Sequence, residues 1–144
     1  AHAPQPELYD LLVDTLTALD AGAAPAAAAR YFELHLLAVS GYELQVAACA
    51  SCGADLPEAE AFFAAAAGGI LCARCRADVP GRLLSVRAQK VLRFARRAAV
   101  AEFAALRMPP ETANEVRSAL ADALRAALDA EPRSSTFFET VSRP

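Results

Sequence analysis

The sequence predicts a mainly α-helical protein, a helical bundle that carries a small inserted module with four cysteines. The hydrophobic fraction is 56%, and much of it is alanine, a strong helix former that buries little area. Tryptophan is absent and aromatic residues make up only 7% of the chain, which disfavours an aromatic-rich β-sandwich or barrel. Leucine and valine recur at the spacing of buried helix faces, and 144 residues suit one ordinary domain.

The first predicted helix begins at Pro6 and ends at Gly22. Proline fits the first turn of a helix, and the acidic Glu7 and Asp10 suit its positive N-terminal end. Leucines then recur three and four residues apart, so they predict one buried face. This expected face consists of Leu8, Leu11, Leu12, Leu16 and Leu19.

A second helix is predicted from about Pro25 to Gly41. Its middle part, residues 31–37, is apolar on nearly all sides, which is typical of the central helix of a small bundle. Beyond this helix, apolar residues alternate with polar ones, a pattern that predicts a short strand or an extended segment. The alternating apolar residues are Tyr42, Leu44 and Val46.

Two further helices are predicted in the second half of the chain. One runs from about Ser85 to about Leu106, before a pair of prolines. The other runs from Glu111 to Asp129, and Pro132 ends it. Its apolar face is expected to consist of Val116, Leu120, Leu124 and Leu128. The residues of the tail that we expect to pack on the bundle are Phe137, Phe138 and Val141.

The predicted helical domain is discontinuous in sequence. Its first part covers residues 1–46, and the four-cysteine insert covers residues 47–81. The second part of the helical domain, with the C-terminal tail, covers residues 82–144.

Several classes of protein are disfavoured by the sequence. No stretch approaches the roughly 20 apolar residues of a membrane span. The start of the chain has neither an initiator methionine nor the pattern of a signal peptide, so we expect an upstream portion. The chain has two histidines, His2 and His35, and neither forms a catalytic set with the scattered acidic residues. His35 is expected to be a packed core residue. A non-enzymatic function is therefore predicted.

All four cysteines lie in the insert, as two C-x2-C pairs separated by nineteen residues. Each pair brings two thiolates toward one ion, and two pairs complete a tetrahedral four-sulfur site. Zinc is the usual occupant of such a site, and iron is the main rival. Four thiolates leave no open position for substrate, so a zinc-ribbon-like module with one structural ion is predicted. The expected ligands are Cys49, Cys52, Cys72 and Cys75.

Two other uses of the cysteines are possible but disfavoured. Two disulfides would need an oxidising compartment, which no feature of the sequence indicates. A thioredoxin-like redox pair would need a βαβ setting, and the pattern around these cysteines does not predict one.

The charges are distributed very unevenly along the chain. Residues 1–73 hold one cation and nine anions, whereas residues 74–107 hold nine cations and two anions. Residues 108–144 hold four cations and six anions. This asymmetry indicates either an anionic partner for the middle of the chain or an internal match between its acidic and basic elements.

One side of the helix that follows the insert is expected to be basic. At 100° per residue, five cations fall on one side and the apolar residues on the other. The five cations are Arg87, Lys90, Arg93, Arg96 and Arg97, and the insert would extend their surface with Arg74, Arg76 and Arg82. Unpaired cations suit phosphate oxygens, and Phe94 is positioned to meet a base. The alternatives are a solvated face or one that docks on the acidic first half.

Specific motifs surround the cysteines and close the chain. They are Phe32–Leu37, Ser40-Gly41-Tyr42, Cys49–Gly53, Gly68–Cys72 with Cys75, and Arg133-Ser134-Ser135 with Phe137-Phe138. Their combination resembles the C-terminal part of the bacterial DNA repair and recombination mediator family RecO. The resemblance covers essentially the whole chain and is most specific between Tyr31 and Cys75.

The resemblance implies a fold and a set of partners. RecO proteins have an N-terminal OB-fold, which this chain is expected to lack, followed by a helical domain with a zinc site. Members act in the RecF pathway, bind single- and double-stranded DNA, anneal strands, and work with RecR and single-strand-binding protein to load RecA. In family terms the four cysteines are zinc ligands, and a cytoplasmic, nucleoid-associated location is expected. The assignment of the basic helix to DNA comes from its geometry alone.

Two other functions compete with DNA binding. In the first, the chain is a protein-interaction module whose basic helix binds an acidic partner tail without touching DNA. In the second, a rubredoxin-like electron carrier, iron would occupy the four-sulfur site, but such sites belong to small domains without a long helical frame.

Overall fold

The computed structural model describes residues 6–130 as a five-helix bundle with one three-stranded sheet, which confirms the mainly α-helical fold class. The helices are α1 (Pro6–Asp20), α2 (Pro25–Val39), α3 (Val86–Arg97), α4 (Val100–Ala104) and α5 (Pro110–Asp129). The strands are β1 (Ala61–Ala64), β2 (Gly69–Leu71) and β3 (Arg82–Leu84), with a 3₁₀ turn at Ala65–Ala67. The expectations for His2, Pro132 and the phenylalanines of the tail lie outside the described residues.

Helix α2 is the central helix of the bundle, as its apolar sequence predicted. It packs against α1, α3, α4 and α5. Leu34 and Leu37 are each only 2% exposed, because neighbours cover the helix on most of its circumference. The four other helices therefore take their positions from α2.

The helix predicted from Ser85 to Leu106 is interrupted, and in this respect the prediction is wrong. Ala98 and Ala99 are extended, with ψ near 157° and 156°, and they separate α3 from α4. Two side chains of α2 hold the interruption in place. Tyr31 donates a hydrogen bond to the Ala98 carbonyl at 2.8 Å, and His35 Nε2 donates one to the Ala95 carbonyl at 2.7 Å. These bonds satisfy carbonyl groups at the end of α3 that the helix itself leaves free.

The five leucines of α1 do not form the expected buried face. Leu11 is buried and Leu8 is half-buried, but Leu12, Leu16 and Leu19 are 42%, 61% and 36% exposed. The buried side of α1 instead consists of Leu11, Thr15 and Ala18. Two of these are small, which lets α1 lie close to α2 at the edge of the bundle. The apolar arc of α1 is wider than its contact with the bundle.

The apolar face predicted on α5 is buried only in part. Val116 and Leu120 are 1% exposed, Leu124 is half-buried and Leu128 is 58% exposed. Four residues span slightly more than one helical turn, so a series at this spacing moves about 40° around the helix with each step. The last leucine has thus left the side that faces the bundle.

The start of α3 is joined to α5 through hydrogen bonds. Ser85 is the N-cap of α3, and its Oγ accepts a hydrogen bond from the Ala88 N–H at 3.1 Å. The Glu115 carboxylate of α5 accepts from both the N–H and the hydroxyl of Ser85, at 2.7 and 2.8 Å. A negative side chain at the positive end of α3 stabilises this helix.

The sheet has the strand order β2-β1-β3, and both strand pairs are antiparallel. The extended segment predicted around Tyr42, Leu44 and Val46 lies beside it. Leu44 and Val46 point into the core, at 3% and 1% exposure. Between them, Gln45 forms a parallel bridge with Gly69 of β2. The bundle and the sheet therefore share one core. The predicted division at residues 46 and 81 stays a prediction.

None of the helices within residues 6–130 is long and apolar enough to cross a membrane.

The burial pattern of α1 predicts very different effects for two leucines of the same helix. Leu11→Ala should lower the free energy of unfolding by about 2–4 kcal/mol, because it leaves a cavity against α2. Leu16→Ala should change it by no more than about 0.5 kcal/mol, because this side chain is mostly in water. Urea denaturation of both variants measures the two values. Equal losses would contradict the exposed position of Leu16.

Candidate metal centre and basic surface

Each cysteine pair lies on a tight turn of the backbone. In the first turn the Gly53 N–H donates to the Cys49 carbonyl at 2.9 Å, and Gly53 has a φ of +76°. Glycine adopts this left-handed conformation without strain. In the second turn the Cys75 N–H donates to the Cys72 carbonyl at 3.1 Å. The second turn lies next to the first because the Ala50 N–H donates to the Ile70 carbonyl of β2 at 2.8 Å, and Cys72 directly follows β2.

The two turns bring all four sulfur atoms together. The Sγ atoms of Cys49, Cys52, Cys72 and Cys75 lie within 4.8 Å of one another. The sulfurs of Cys52 and Cys72 are 3.8 Å apart, which is about the separation expected around a tetrahedral zinc ion with Zn–S bonds of about 2.3 Å. The residues present thus fit a four-sulfur metal site.

The thiols themselves favour a bound cation. Backbone N–H groups, that of Cys52 foremost, lower the pKa of the Cys49 thiol to about 6. The backbone N–H of Cys75 likewise lowers the pKa of Cys72. A hydrogen bond to the Cys72 sulfur, by contrast, raises the pKa of Cys75 to about 12. Deprotonation of Cys75 is thus unfavourable until a cation compensates the negative charge of the neighbouring thiolates. A bound metal ion supplies that compensation.

The cluster is anchored to the protein on one side only. Cys49 is 4% exposed and packs with Ala64 and Leu71 of the sheet. Cys52 is exposed, and Cys72 and Cys75 are half-buried. Because all four ligands come from protein, a metal ion here has no vacant position for a substrate. The geometry suits a structural role.

Two arginines of the insert lie next to this cluster. The Arg74 side chain is a hydrogen-bond partner of the Cys52 sulfur, and this contact raises the pKa of its guanidinium. The Arg76 guanidinium lies 5.6 Å from the centre of the Phe62 ring, a cation–π contact that restricts its orientation. Both arginines are exposed.

Two cations of α3 are engaged with the segment that leads into the insert. Arg93 donates to the Val46 carbonyl at 3.1 Å, and Arg96 donates to the Leu44 carbonyl at 3.4 Å. Arg96 also forms an ion pair with Glu43 at 2.8 Å. Both arginine side chains are half-buried. They hold the backbone of this segment against α3.

Two other predicted cations form ion pairs within the chain. Lys90 pairs with Glu58 at 2.7 Å, and both side chains are at least 60% exposed. Arg82 pairs with Asp122 of α5, also at 2.7 Å. The internal match between acidic and basic elements, one of the two explanations for the uneven charge, therefore exists for part of the basic set.

Arg87 and Arg97 are the exposed cations of α3 that have no ion pair among the described residues. They lie ten residues apart, about 15 Å along the helix. The Arg97 guanidinium lies 5.2 Å from the centre of the Phe94 ring. Phe94 is half-buried against the core.

His35 behaves as the packed histidine that the sequence predicted. Its ring stacks on Tyr31 with a centroid distance of 4.2 Å, and it hydrogen-bonds to α3. Among residues 6–130, the four cysteines are the group of side chains that lies close enough together to hold a metal ion, and His35 does not belong to it.

Residues 1–136 match the family model described as "Recombination protein O C terminal". The chain belongs to the RecO family. The matched region is the C-terminal region of RecO, and the resemblance inferred from the sequence motifs is thereby confirmed.

Several curated RecO proteins are similar to the chain. It is 32% identical to the DNA repair protein RecO of Dehalococcoides mccartyi strain BAV1 over 140 residues, which are 97% of the chain and 55% of the relative. It is 39% identical to that of Roseiflexus sp. over 141 residues, 97% of the chain and 50% of the relative. The chain spans about half the length of these relatives. No solved structure gives a significant match.

Sequence reasoning missed the acidic partners of the basic residues. Glu43, Glu58 and Asp122 are far from their cations in sequence, and a helical wheel of α3 contains no information about them. The contact of the Arg76 guanidinium with the Phe62 ring was likewise not predicted. The acidic charge of residues 1–73 was the available signal for the pairing of Glu43 and Glu58.

Loss of an arginine of α3 that hydrogen-bonds to the backbone should destabilise the protein more than loss of an exposed arginine of the same helix. Arg93→Met should lower the free energy of unfolding by about 1–2 kcal/mol, because a carbonyl of the Val46 segment loses its charged donor. Arg87→Met is the matched control on the same helix and should change it by less than about 0.5 kcal/mol. Thermal and urea unfolding of both variants test this difference, and an equal effect would argue against a structural role for Arg93.

Proposed function

We propose that the chain is the C-terminal part of a non-enzymatic mediator of DNA repair and recombination. The match of residues 1–136 to the C-terminal RecO model supports this function most directly. The relatives are named DNA repair proteins. In this proposal the whole protein acts in the cytoplasm, at the nucleoid, with RecR and single-strand-binding protein, and it promotes strand annealing and RecA loading.

The proposal includes one structural zinc ion bound by Cys49, Cys52, Cys72 and Cys75. The convergence of their four sulfurs within 4.8 Å supports it. When bound, the ion supplies a cross-link between the two cysteine turns and compensates the charge of the thiolates. It thereby fixes the loop that carries Arg74 and Arg76.

The proposal further assigns single- and double-stranded DNA to a basic surface on α3 and the insert. The predicted set is Arg74, Arg76, Arg82, Arg87, Lys90, Arg93, Arg96 and Arg97. Four of these have no carboxylate partner among residues 6–130, namely Arg74, Arg76, Arg87 and Arg97. Aromatic rings orient Arg76 and Arg97, which lowers the entropy lost when each binds a phosphate. These four are the first candidates for phosphate contacts.

A second candidate function is a protein-interaction module for an acidic partner tail. Within this chain, Lys90 and Arg96 already bind the carboxylates of Glu58 and Glu43. Carboxylates of a partner would use the same charge-assisted geometry. In this alternative DNA contact belongs to another part of the full-length protein.

The metal assignment predicts that the purified chain contains one zinc ion and that Cys52→Ser loses most of it. The site has no spare ligand, and metal binding is coupled to local folding. We expect the melting temperature to fall by at least about 5 °C. Elemental analysis and calorimetry measure these changes. Ser51→Ala is the matched control, since it alters the same turn without removing a ligand.

A chelator should loosen the cysteine turns while the helices keep much of their circular dichroism, because the main core that the bundle shares with the sheet does not include the cysteines. Two disulfides, iron instead of zinc, or a Cys52→Ser variant with full zinc content would each contradict the metal assignment.

The DNA assignment predicts a specific salt dependence. Each phosphate contact to single-stranded DNA contributes about −0.7 to the slope of log K against log salt. Arg87→Gln with Arg97→Gln should therefore reduce the slope by about 1.4 and weaken binding to all sequences alike. Arg117→Gln with Arg125→Gln on α5 is the control with the same change of net charge. Fluorescence anisotropy at several salt concentrations measures the slopes.

The same variants separate the two candidate functions. If Arg87→Gln/Arg97→Gln binds DNA as the parent does but no longer binds an acidic peptide, the interaction-module function replaces the DNA assignment. If the control Arg117→Gln/Arg125→Gln lost DNA binding while Arg87→Gln/Arg97→Gln kept it, the assignment of DNA to α3 would also be contradicted.

A further inference from the structure

A groove of about 790 Å³ lies between α5 and the sheet module. One wall is the C-terminal half of α5 together with its C-cap residue, from Asp122 to Ala130, and the other is the 3₁₀ turn Ala65–Ala67. The segments 41–44 and 80–82 border the groove at its ends. The groove thus lies where the bundle meets the four-cysteine module, and Arg82 is the one member of the proposed basic surface among its described lining residues.

The two long walls of the groove consist largely of alanine methyl groups. Ala65, Ala66 and Ala67 line one wall, and Ala123, Ala126 and Ala130 are among the residues of the other. The larger apolar residues that line the groove, Tyr42 and Leu44, belong to the segment at its end and not to these two walls. A wide groove with small apolar walls is complementary to large apolar side chains.

We propose that the C-terminal segment of this same chain, residues 131–144, folds back into the groove and seats Phe137 and Phe138 between the alanines. Ala130, the last described residue, itself lines the groove, so the segment leaves α5 from the groove wall. Phe137 lies seven positions beyond Ala130, and this length of chain can reach about 23 Å. The α5 wall is only about 12 Å long. Phe137 and Phe138 are the two aromatic residues of the segment.

The charges at the rim favour this occupant over an acidic tail from another protein. The rim cations Arg82 and Arg125 both contact Asp122, at 2.7 and 3.4 Å. An acidic peptide would have to compete with this carboxylate. The segment 131–144 contains two acids and two arginines, so it brings no net charge to the groove. The apolar side chains of the segment are therefore what makes it complementary to the groove.

Docking of the segment would connect parts of the chain that are distant in sequence. It would contact α5 on one side and the 3₁₀ turn between β1 and β2 on the other. Because β2 leads directly into Cys72, the segment would restrain the module against the bundle. Removing its aromatic rings should therefore free the module as well as the tail.

The test uses the full 144-residue chain with its metal, labelled for nuclear magnetic resonance at phenylalanine rings and alanine methyl groups. We expect nuclear Overhauser contacts from Phe137 or Phe138 to the methyls of Ala66 and Ala126. Phe137→Ala/Phe138→Ala should abolish these contacts and shift the Ala66 and Ala126 methyl signals. It should also lower the melting temperature by at least about 5 °C.

A second variant blocks the groove instead of removing its occupant. Ala66→Glu lies at an exposed position, so the fold should hold while the phenylalanine contacts disappear. Leu128→Ala is the control, since Leu128 is exposed but does not line the groove, and it should leave the contacts unchanged.

Three results would overturn the proposal. The first is an absence of contacts between the phenylalanine rings and the groove methyls in the parent. The second is contacts that appear only between differently labelled copies, which would mean exchange of the segment in a dimer. The third is groove methyl signals that are displaced by an added acidic peptide but are indifferent to Phe137→Ala/Phe138→Ala.

Discussion

The three residues 44–46 join the helical bundle to the four-cysteine module, and the positions of both parts depend on them. Leu44 and Val46 are buried in the core of the bundle. The backbone of Gln45 pairs with β2, accepting from the Ile70 N–H and donating to the Gly68 carbonyl, both at 2.9 Å. An extended backbone with alternating side chains can serve a helical core and a strand at the same time. The first cysteine follows three residues later, so the four-cysteine cluster begins from a fixed point.

This connection explains why a helix with five cations on its polar side is not simply a basic surface. The carbonyl groups of residues 44 and 46 need donors, and Arg93 and Arg96 supply them. A long charged side chain can bury its stem and satisfy backbone groups while its charge remains near water. Within the predicted basic set, the cations without a carboxylate partner among residues 6–130 therefore lie at the ends of α3 and on the second cysteine turn.

Local patterns predicted most of the helices and the convergence of the four cysteines, because each pattern contains its own constraint. Two residues between paired cysteines are sufficient to define a turn, and Pro6 and Pro25 mark helix starts at the correct residues. The break at Ala98 could not be predicted, since alanine is the best helix former and the hydrogen bonds that hold the break come from α2, far away in sequence. The prediction of which α1 residues are buried was wrong for a related reason. Leucine spacing reveals an apolar side but not how much of it a neighbour covers.

Hydrogen exchange in a pair of glycine variants tests the central role of residues 44–46 most directly. A Cβ atom at Gly69 would collide with the backbone of Gln45, whereas one at Gly68 would meet no atom within 4 Å, although both glycines have positive φ. In Gly69→Ala the amides of Gln45 and Ile70 should exchange at least about tenfold faster than in Gly68→Ala, a difference of about 1.4 kcal/mol, and zinc should be held less tightly. Equal exchange rates and equal zinc retention in the two variants would contradict this account of how the bundle and the module are joined.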